Sequence, residues 1–456
     1  MRVNIYIIGV AYILINMALL IIAPYDVHLT HGADASSWYD PALSLLKHGE
    51  FVTLEDTSIL QTYRTPIYPI YEALMLFIGK GNIISIIVGQ ITILWFIGII
   101  TYKIVEKNCP DKGVLGLLLV VFNPNALGAA HLVQSDILYM LMVTATLYYL
   151  FLYNNKSSYK LSFIIGLMMG LTCLVRPSGQ YLIPLFPIIY IMIGLLKKNS
   201  LTVVTHLYHG LISTMIAIAV VFPWAQHNSN AGWGYNLATA EIEVVYFRDN
   251  VIYLDSVQNN KSLNDSEDQI IKKEQKYISY IAENSINMSE QDRLSVLSTY
   301  YKEQIFTYDY KTVVKSFIDS WIGLFGAGGA ANIHNILALD GKKSINIMSK
   351  SEGHVSRVEA VFSSLLESNF IIIAISLLSF SYVIVLRIFD LIGFINLIRN
   401  REYSALFILT GIIVYFVLIT LFVGNSRYRL PIEPALIILS VYGFNSIFNR
   451  NIDEYK

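Results

Sequence analysis

The chain has 456 residues, of which 55% are hydrophobic and only 14% charged, and its formal net charge is −1. An ordinary soluble domain is about a quarter charged, so this composition excludes a soluble globular protein. The near-zero charge without a basic tract excludes a nucleic-acid surface. Val3 to Tyr25 carries no charge, no basic leader and no small-residue cleavage site, and is expected to be an uncleaved first transmembrane helix. Further uncharged runs follow at Gly81 to Tyr102, Gly113 to Gln134, Ile137 to Asn155, Leu161 to Val175, Pro177 to Leu196 and Leu201 to about Trp224. After a long charged stretch they resume at Ser368 to Leu386, Tyr403 to Ser426 and Pro434 to Asn449. The expectation is an all-α polytopic membrane protein of about ten spans. Cys109 and Cys173 fall at or within the membrane, so no disulfide framework is expected.

With a cytoplasmic N-terminus, strict alternation places Lys103, Lys107, Lys112, Lys156, Lys160, Lys197, Lys198, Arg399, Arg401, Arg450 and Lys456 all inside. That is the positive-inside pattern. The outer side then receives Asp34, Arg64, Asp136, Arg176, Arg427 and Arg429, which stand beside prolines and helix ends, so the chemistry is expected there. Three blocks result: an N-terminal transmembrane module over 1–224 that includes an outer loop at 26–80, an outer loop domain over 225–365, and C-terminal spans over 366–456. Within the second block, Gln269 to Tyr280 and Ser289 to Tyr301 read as exposed helices, and Gly323 to Gly329 as a flexible hinge.

The first outer loop opens with His31-Gly-Ala-Asp34-Ala-Ser-Ser-Trp38-Tyr39-Asp40. At an interface, partial desolvation makes Asp34 a better base; equally, Asp34 suits a cap for the amphipathic run Ala42, Leu43, Leu45, Leu46. Asp40 fits a solvated helix face. Arg64, in Tyr63-Arg64-Thr65-Pro66-Ile67-Tyr68-Pro69, is either a bidentate phosphate ligand or a headgroup anchor within an aromatic belt. Ser135 or Asp136 would cap the helix that follows, and His131 reads more readily as a packed histidine than as a metal ligand. No second His or Cys stands at metal-ligand spacing from His131, so a zinc centre is unsupported.

Arg176, before Pro177, is a charge at membrane depth and hence a functional candidate. Arg427-Tyr428-Arg429-Leu430-Pro431-Ile432-Glu433-Pro434 is the densest case. Its two arginines could cradle a lipid phosphate, or Arg429 and Glu433 could form an ordinary pair four residues apart. The co-location of these pieces on one side carries more weight than any one of them. Arginines stabilise an anionic lipid-phosphate leaving group, while a carboxylate takes a proton from an attacking hydroxyl.

The set Gly32-Ala-Asp34-Ala-Ser-Ser-Trp38-Tyr39, Arg64-Thr-Pro66-Ile-Tyr68-Pro69, Gln134-Ser135-Asp136, Leu174-Val-Arg176-Pro177 and Arg427-Tyr-Arg429-Leu-Pro431-Ile-Glu-Pro434 resembles, in order, GT-C fold glycosyltransferases. The family is that of the dolichyl-phosphate-mannose protein mannosyltransferases and aminoarabinose transferases. The resemblance implies a GT-C-type bundle, a polyprenyl-phosphate-linked sugar donor, and a glycan, lipid or protein acceptor at the outer face of the bilayer. It implies an inverting reaction in which Asp34 is the catalytic carboxylate, Asp136 a second cavity acid, and Arg64, Arg176, Arg427 and Arg429 the donor-phosphate ligands. Tyr39, His131, Tyr428 and Glu433 are further cavity candidates. The chain departs from many relatives in having Ala35 where a second acid would adjoin Asp34, which leaves no certain cofactor and a divalent metal as an open alternative. Richness in Ile, Lys, Asn and Tyr points to a bacterium, hence to a cytoplasmic membrane with the site facing the periplasm or exterior. Two other readings are a lipid-linked oligosaccharide polymerase and a flippase or transporter; the latter would distribute its charges through the spans.

Overall fold

The computed structural model describes residues 5–23, 35–197, 202–284, 288–337 and 370–448. Asp34 and His31 lie outside the described residues. The helices in chain order are α1 (Ile5–Ile22), α2 (Ala35–His48), α3 (Ile67–Ile78), α4 (Ile84–Asn108), α5 (Gly113–Val121), α6 (Pro124–Ala130), α7 (Asp136–Asn155), α8 (Tyr159–Val175), α9 (Phe186–Lys197) and α10 (Val203–Asn230). There follow α11 (Ala240–Asn259), α12 (Leu263–Asn284), α13 (Glu290–Ile305), α14 (Tyr310–Gly326), α15 (Ala330–Ile336), α16 (Phe370–Arg399), α17 (Tyr403–Thr420), α18 (Ser426–Arg429) and α19 (Glu433–Phe448). Among the described residues there is no β-strand, only an isolated bridge between Val52 and Leu60. The protein is an all-α polytopic membrane protein. Eight of its described segments are long and apolar enough to span a bilayer, and α5 with α6 makes a ninth if the bent pair is one span.

The sequence explains where these helices stop and bend. The run from Gly113 to Gln134 is not one straight span: it turns by 55° between α5 and α6. Asn123 restarts the helix by accepting from the Asn125 and Ala126 amides, and Pro124 occupies the first helical position, where its missing N–H costs nothing. Pro177 likewise ends α8 at Val175, and a 3₁₀ stretch, Pro177–Leu185, leads into α9. The predicted stop at Leu386 is overturned, because α16 continues through Arg387 and Asp390 to Arg399. Those two charges offset each other at 2.8 Å, and Ser440 of α19 donates a hydrogen bond to Asp390, so the helix keeps its path.

Burial follows membrane rather than aqueous logic. In α1 only Ile8, Tyr12 and Asn16 are buried, a stripe at fourfold spacing that faces the bundle. Tyr12 donates to the Ile91 carbonyl at 2.8 Å. The remaining large apolar side chains of α1, among them Ile7, Ile13 and Ile21, are exposed, as a hydrocarbon solvent favours. Residues 240–326 form four helices, with α11 packed against α12 and α13 through a small core of Val244, Val251, Ile270, Leu297 and Tyr301. The exposed helices expected at Gln269 to Tyr280 and Ser289 to Tyr301 are the middle of α12 and nearly all of α13. Within the glycine stretch, Gly323 is tightly packed while Gly326 faces open space. A Cβ on Gly323 would collide with the Gly424 carbonyl oxygen, and one on Gly424 would collide with that of Ser320. Glycine lets α14 press directly on the segment leading into α18.

Candidate active site

At one end of the bundle a cavity of about 310 Å³ is lined by Arg64, Arg176, Arg427 and Tyr428, together with Trp38, Tyr139 and the α11 residues Tyr246, Asp249 and Asn250. Its arginines come from three distant parts of the chain, and each is anchored. Arg64 donates from Nε to Ser37 at 2.9 Å and lies over the rings of Trp38 and Tyr63 at 4.5 and 4.7 Å. Its neighbour Thr65 donates to the Val175 carbonyl at 2.9 Å, which fixes the Arg64 loop against the end of α8. Immediately after that end comes Arg176.

Asp136 lies behind the cavity wall with its side chain fully buried. One carboxylate oxygen meets Arg176 Nη1 at 2.9 Å and the other meets Arg427 Nε at 3.0 Å. Arg176 Nε also donates to Ser135 Oγ at 2.8 Å. The expected helix cap is therefore not made. Ser135 occupies the N-cap position of α7 without a side-chain capping bond, because charge-assisted bonds to two guanidiniums outweigh a bond to a backbone amide. The α7 N-terminus still favours the negative charge of Asp136. The result is an arginine–carboxylate–arginine clamp whose guanidiniums edge the cavity.

The two arginines of the Arg427-Tyr428-Arg429 triplet part company. Asn425 caps the one-turn α18 by accepting from the amides of Arg427 and Tyr428, and Asn125 donates to the Ser426 carbonyl at 2.6 Å. Residues two apart on such a turn point about 200° from each other. Arg427 therefore faces Asp136 and the cavity. Arg429 is fully buried, pairs with Glu433 at 2.5 Å and donates to the Leu324 carbonyl at 2.5 Å. Glu433 also stands 3.8 Å from Arg387, so Arg429 and Glu433 belong to a buried strut that joins α14, α16 and α19.

Two other sequence candidates also stand apart from the cavity lining. His131 is buried with its Nε2 2.9 Å from Asn16 Oδ1, a link between α6 and α1. Tyr39 packs against the buried cluster of Leu76, Ile83, Ile86, Ile87 and Val133. Asp34 precedes Ala35, the first residue of α2, by one position. Among the described residues no group of three His, Cys, Asp or Glu side chains converges as metal ligands would, and both oxygens of Asp136 are already engaged by arginine.

Several lining residues escaped the sequence reading. Trp38 forms a T-shaped contact with Tyr68 at 5.4 Å, and Tyr139 shares a 2.8 Å hydrogen bond with Ser178. From α11, Tyr246 donates to the Ile419 carbonyl at 2.6 Å and Asn250 accepts from the Phe422 amide at 2.9 Å. These two bonds latch α11 across the end of α17. The periodicity signal was present, since Ile242, Val245, Tyr246 and Asp249 follow the i, i+3, i+4, i+7 spacing of one helical face. A second cavity of about 320 Å³, lined among others by Val143, Leu150, Leu182, Phe186, Ile412 and Leu418, is almost wholly apolar and shares Tyr139 and Phe416 with the first.

Residues 64–224 match the family model of the dolichyl-phosphate-mannose-protein mannosyltransferases. No curated protein sequence matches the chain. Among solved structures, the archaeal oligosaccharyltransferase AglB from Archaeoglobus fulgidus, in complex with an inhibitory peptide and a dolichol-phosphate, is 10% identical with a TM-score of 0.49, over 94% of this chain and 48% of that one. ArnT from Cupriavidus metallidurans is similar in the apo state, at 11% identity, TM-score 0.40, 96% of this chain and 77% of its own. Its form bound to undecaprenyl phosphate stands at 12%, 0.40, 96% and 78%. The chain thus spans about half the length of the archaeal protein.

Proposed function

We propose, starting from the match of residues 64–224 to the dolichyl-phosphate-mannose-protein mannosyltransferase family, that the chain is an integral membrane glycosyltransferase of GT-C type. It moves one sugar from a polyprenyl-phosphate-sugar donor to an acceptor hydroxyl. The observation that carries this reading is a pair of neighbouring cavities, one lined by three arginines and the other almost wholly apolar, with Tyr139 and Phe416 in the walls of both. An isoprenoid tail is stabilised in the second and a phosphate in the first.

In this reading Arg64, Arg176 and Arg427 bind the donor phosphate, with Tyr428 beside them, and Asp136 positions two of the three. Arg429 and Glu433 hold the Arg427 turn in place. Asp34 is the base, next in sequence to the helix that supplies Ser37 and Trp38. The acceptor oxygen attacks the anomeric carbon from the face opposite the phosphate while Asp34 takes its proton. The bond from that carbon to the phosphate oxygen breaks, its electron pair stays on the phosphate, and the arginines stabilise the charge that develops. The Lys/Arg distribution favours an active site on the outer side of a bacterial cytoplasmic membrane.

The test is sugar release by purified protein in lipid nanodiscs from a radiolabelled panel of polyprenyl-monophosphate sugars, with wild type beside Asp34→Asn. Release from one donor that vanishes in the variant supports the assignment. No release from any donor by folded protein overturns it, and diphosphate-linked oligosaccharides would then test the polymerase reading.

A further inference from the structure

Around α11 from the residues that line the arginine site, a third cavity of about 330 Å³ lies between the loop 231–236 and α13. Its lining is almost entirely polar and includes Trp233, Asn236, Glu243, Ser295, Thr299 and Lys302. The loop is held rigidly. Gly232 and Gly234 take φ of +89° and +65°, conformations that glycine adopts without strain. The Trp233 amide donates to the Asn228 carbonyl at 2.9 Å, Asn228 donates to the Asn236 carbonyl at 2.7 Å, and Gln291 donates to the Ala231 carbonyl at 2.6 Å.

We infer that this cavity is a carbohydrate-binding subsite that holds a sugar unit of the acceptor. Its size lies at the small end of ligand sites, roughly 300–1,000 Å³, which suits one or two pyranose rings. Amide, hydroxyl, carboxylate and ammonium groups supply both donors and acceptors for the hydroxyls of a sugar, and the Trp233 loop forms one wall. A bare cation fits less well, because Lys302 already neutralises Glu243 at 2.8 Å and Asp292 is engaged in a capping box with Ser289. A peptide side chain of apolar type finds no matching surface. Glu243 is the next residue to Ile242, which lines the arginine cavity, so a bound glycan would sit one helix width from the reacting centre. The assignment to an acceptor rests on the transferase reading; the assignment to carbohydrate does not.

Saturation-transfer NMR on the full chain in sugar-free nanodiscs, with the methyl glycosides of glucose, galactose, mannose, N-acetylglucosamine and rhamnose and no donor present, tests the inference. At least one glycoside should show transfer, with affinity weakened about tenfold by Trp233→Ala and likewise by Thr299→Val. Trp38→Phe, in the arginine cavity, should leave that binding unchanged. Absence of transfer to every glycoside, or binding indifferent to Trp233→Ala and Thr299→Val, overturns the subsite. Because no donor is used, failure of the donor assay leaves this result standing and the reverse also holds.

Discussion

Replacing Asp136 by asparagine keeps the shape of the side chain and removes the charge that two guanidiniums share. The carboxylate is completely buried, whereas Arg176 and Arg427 retain 16% and 28% of their exposure. Removing one partner of a buried ion pair costs about 3–5 kcal/mol. Water reaching the two arginines screens part of their repulsion, so about 3 kcal/mol, the lower end, is expected. A second substitution, Arg427→Gln added to Asp136→Asn, removes one of the two like charges and should recover about 1–2 kcal/mol. Unfolding free energies read by SDS titration from bicelles, followed by tryptophan fluorescence, measure both steps. A single variant within about 1 kcal/mol of wild type, or a double variant no more stable than the single one, would refute the claim that Asp136 is the charge holding this wall together.

The other expectations concern neighbouring parts of the same end. On the proposed mechanism, Asp34→Asn should abolish turnover while donor-lipid affinity stays within about twofold of wild type, because a base there would act on the acceptor proton and not on the phosphate. Arg427→Ala should weaken donor binding about ten- to hundredfold, in line with about 1.5–3 kcal/mol for a hydrogen bond to a charged group, as measured by competition with a labelled polyprenyl phosphate. Arg429→Ala should instead lower stability by about 3–5 kcal/mol, since it leaves Glu433 buried without its partner; a weakened donor in an Arg429→Ala protein of unchanged stability would contradict that division of roles. Gly424→Ala should destabilise by about 1–3 kcal/mol through its clash with the Ser320 backbone. Gly326→Ala, where a Cβ meets open space, should fall within about 0.5 kcal/mol of wild type.

Much of this architecture was legible in one dimension. Span positions follow from uncharged runs about 20 residues long, and the concentration of arginine beside proline at span ends marked Arg64, Arg176 and Arg427 individually. Which charges meet was not legible. Asp136 and Arg427 are 291 residues apart, and nothing local distinguishes a carboxylate that caps a helix from one that clamps two arginines. Arg427 and Arg429 look equivalent in the sequence, and only the rotation of about 100° per residue in a helical turn sends one to the cavity and the other into the strut. Arg387 and Asp390 appeared to end a span because hydropathy counts each charge as isolated, whereas the pair is compensated within the bundle. The part played by α11 was not read at all, because residues 240–259 fall in the charged outer block, and its cavity face becomes visible only when every third and fourth residue is read together.

The clamp also has a temporal side. A ribosome releases Asp136 and Arg176 long before Arg427, and chains fold from the N-terminus as they emerge. Until the last stretch of the chain is in place, Asp136 has one guanidinium instead of two and the strut through Arg429 has not formed. The segment that matches the family model, residues 64–224, therefore supplies only Asp136 and Arg176 of the clamp, and the wall of the arginine cavity is complete only once Arg427 packs against them.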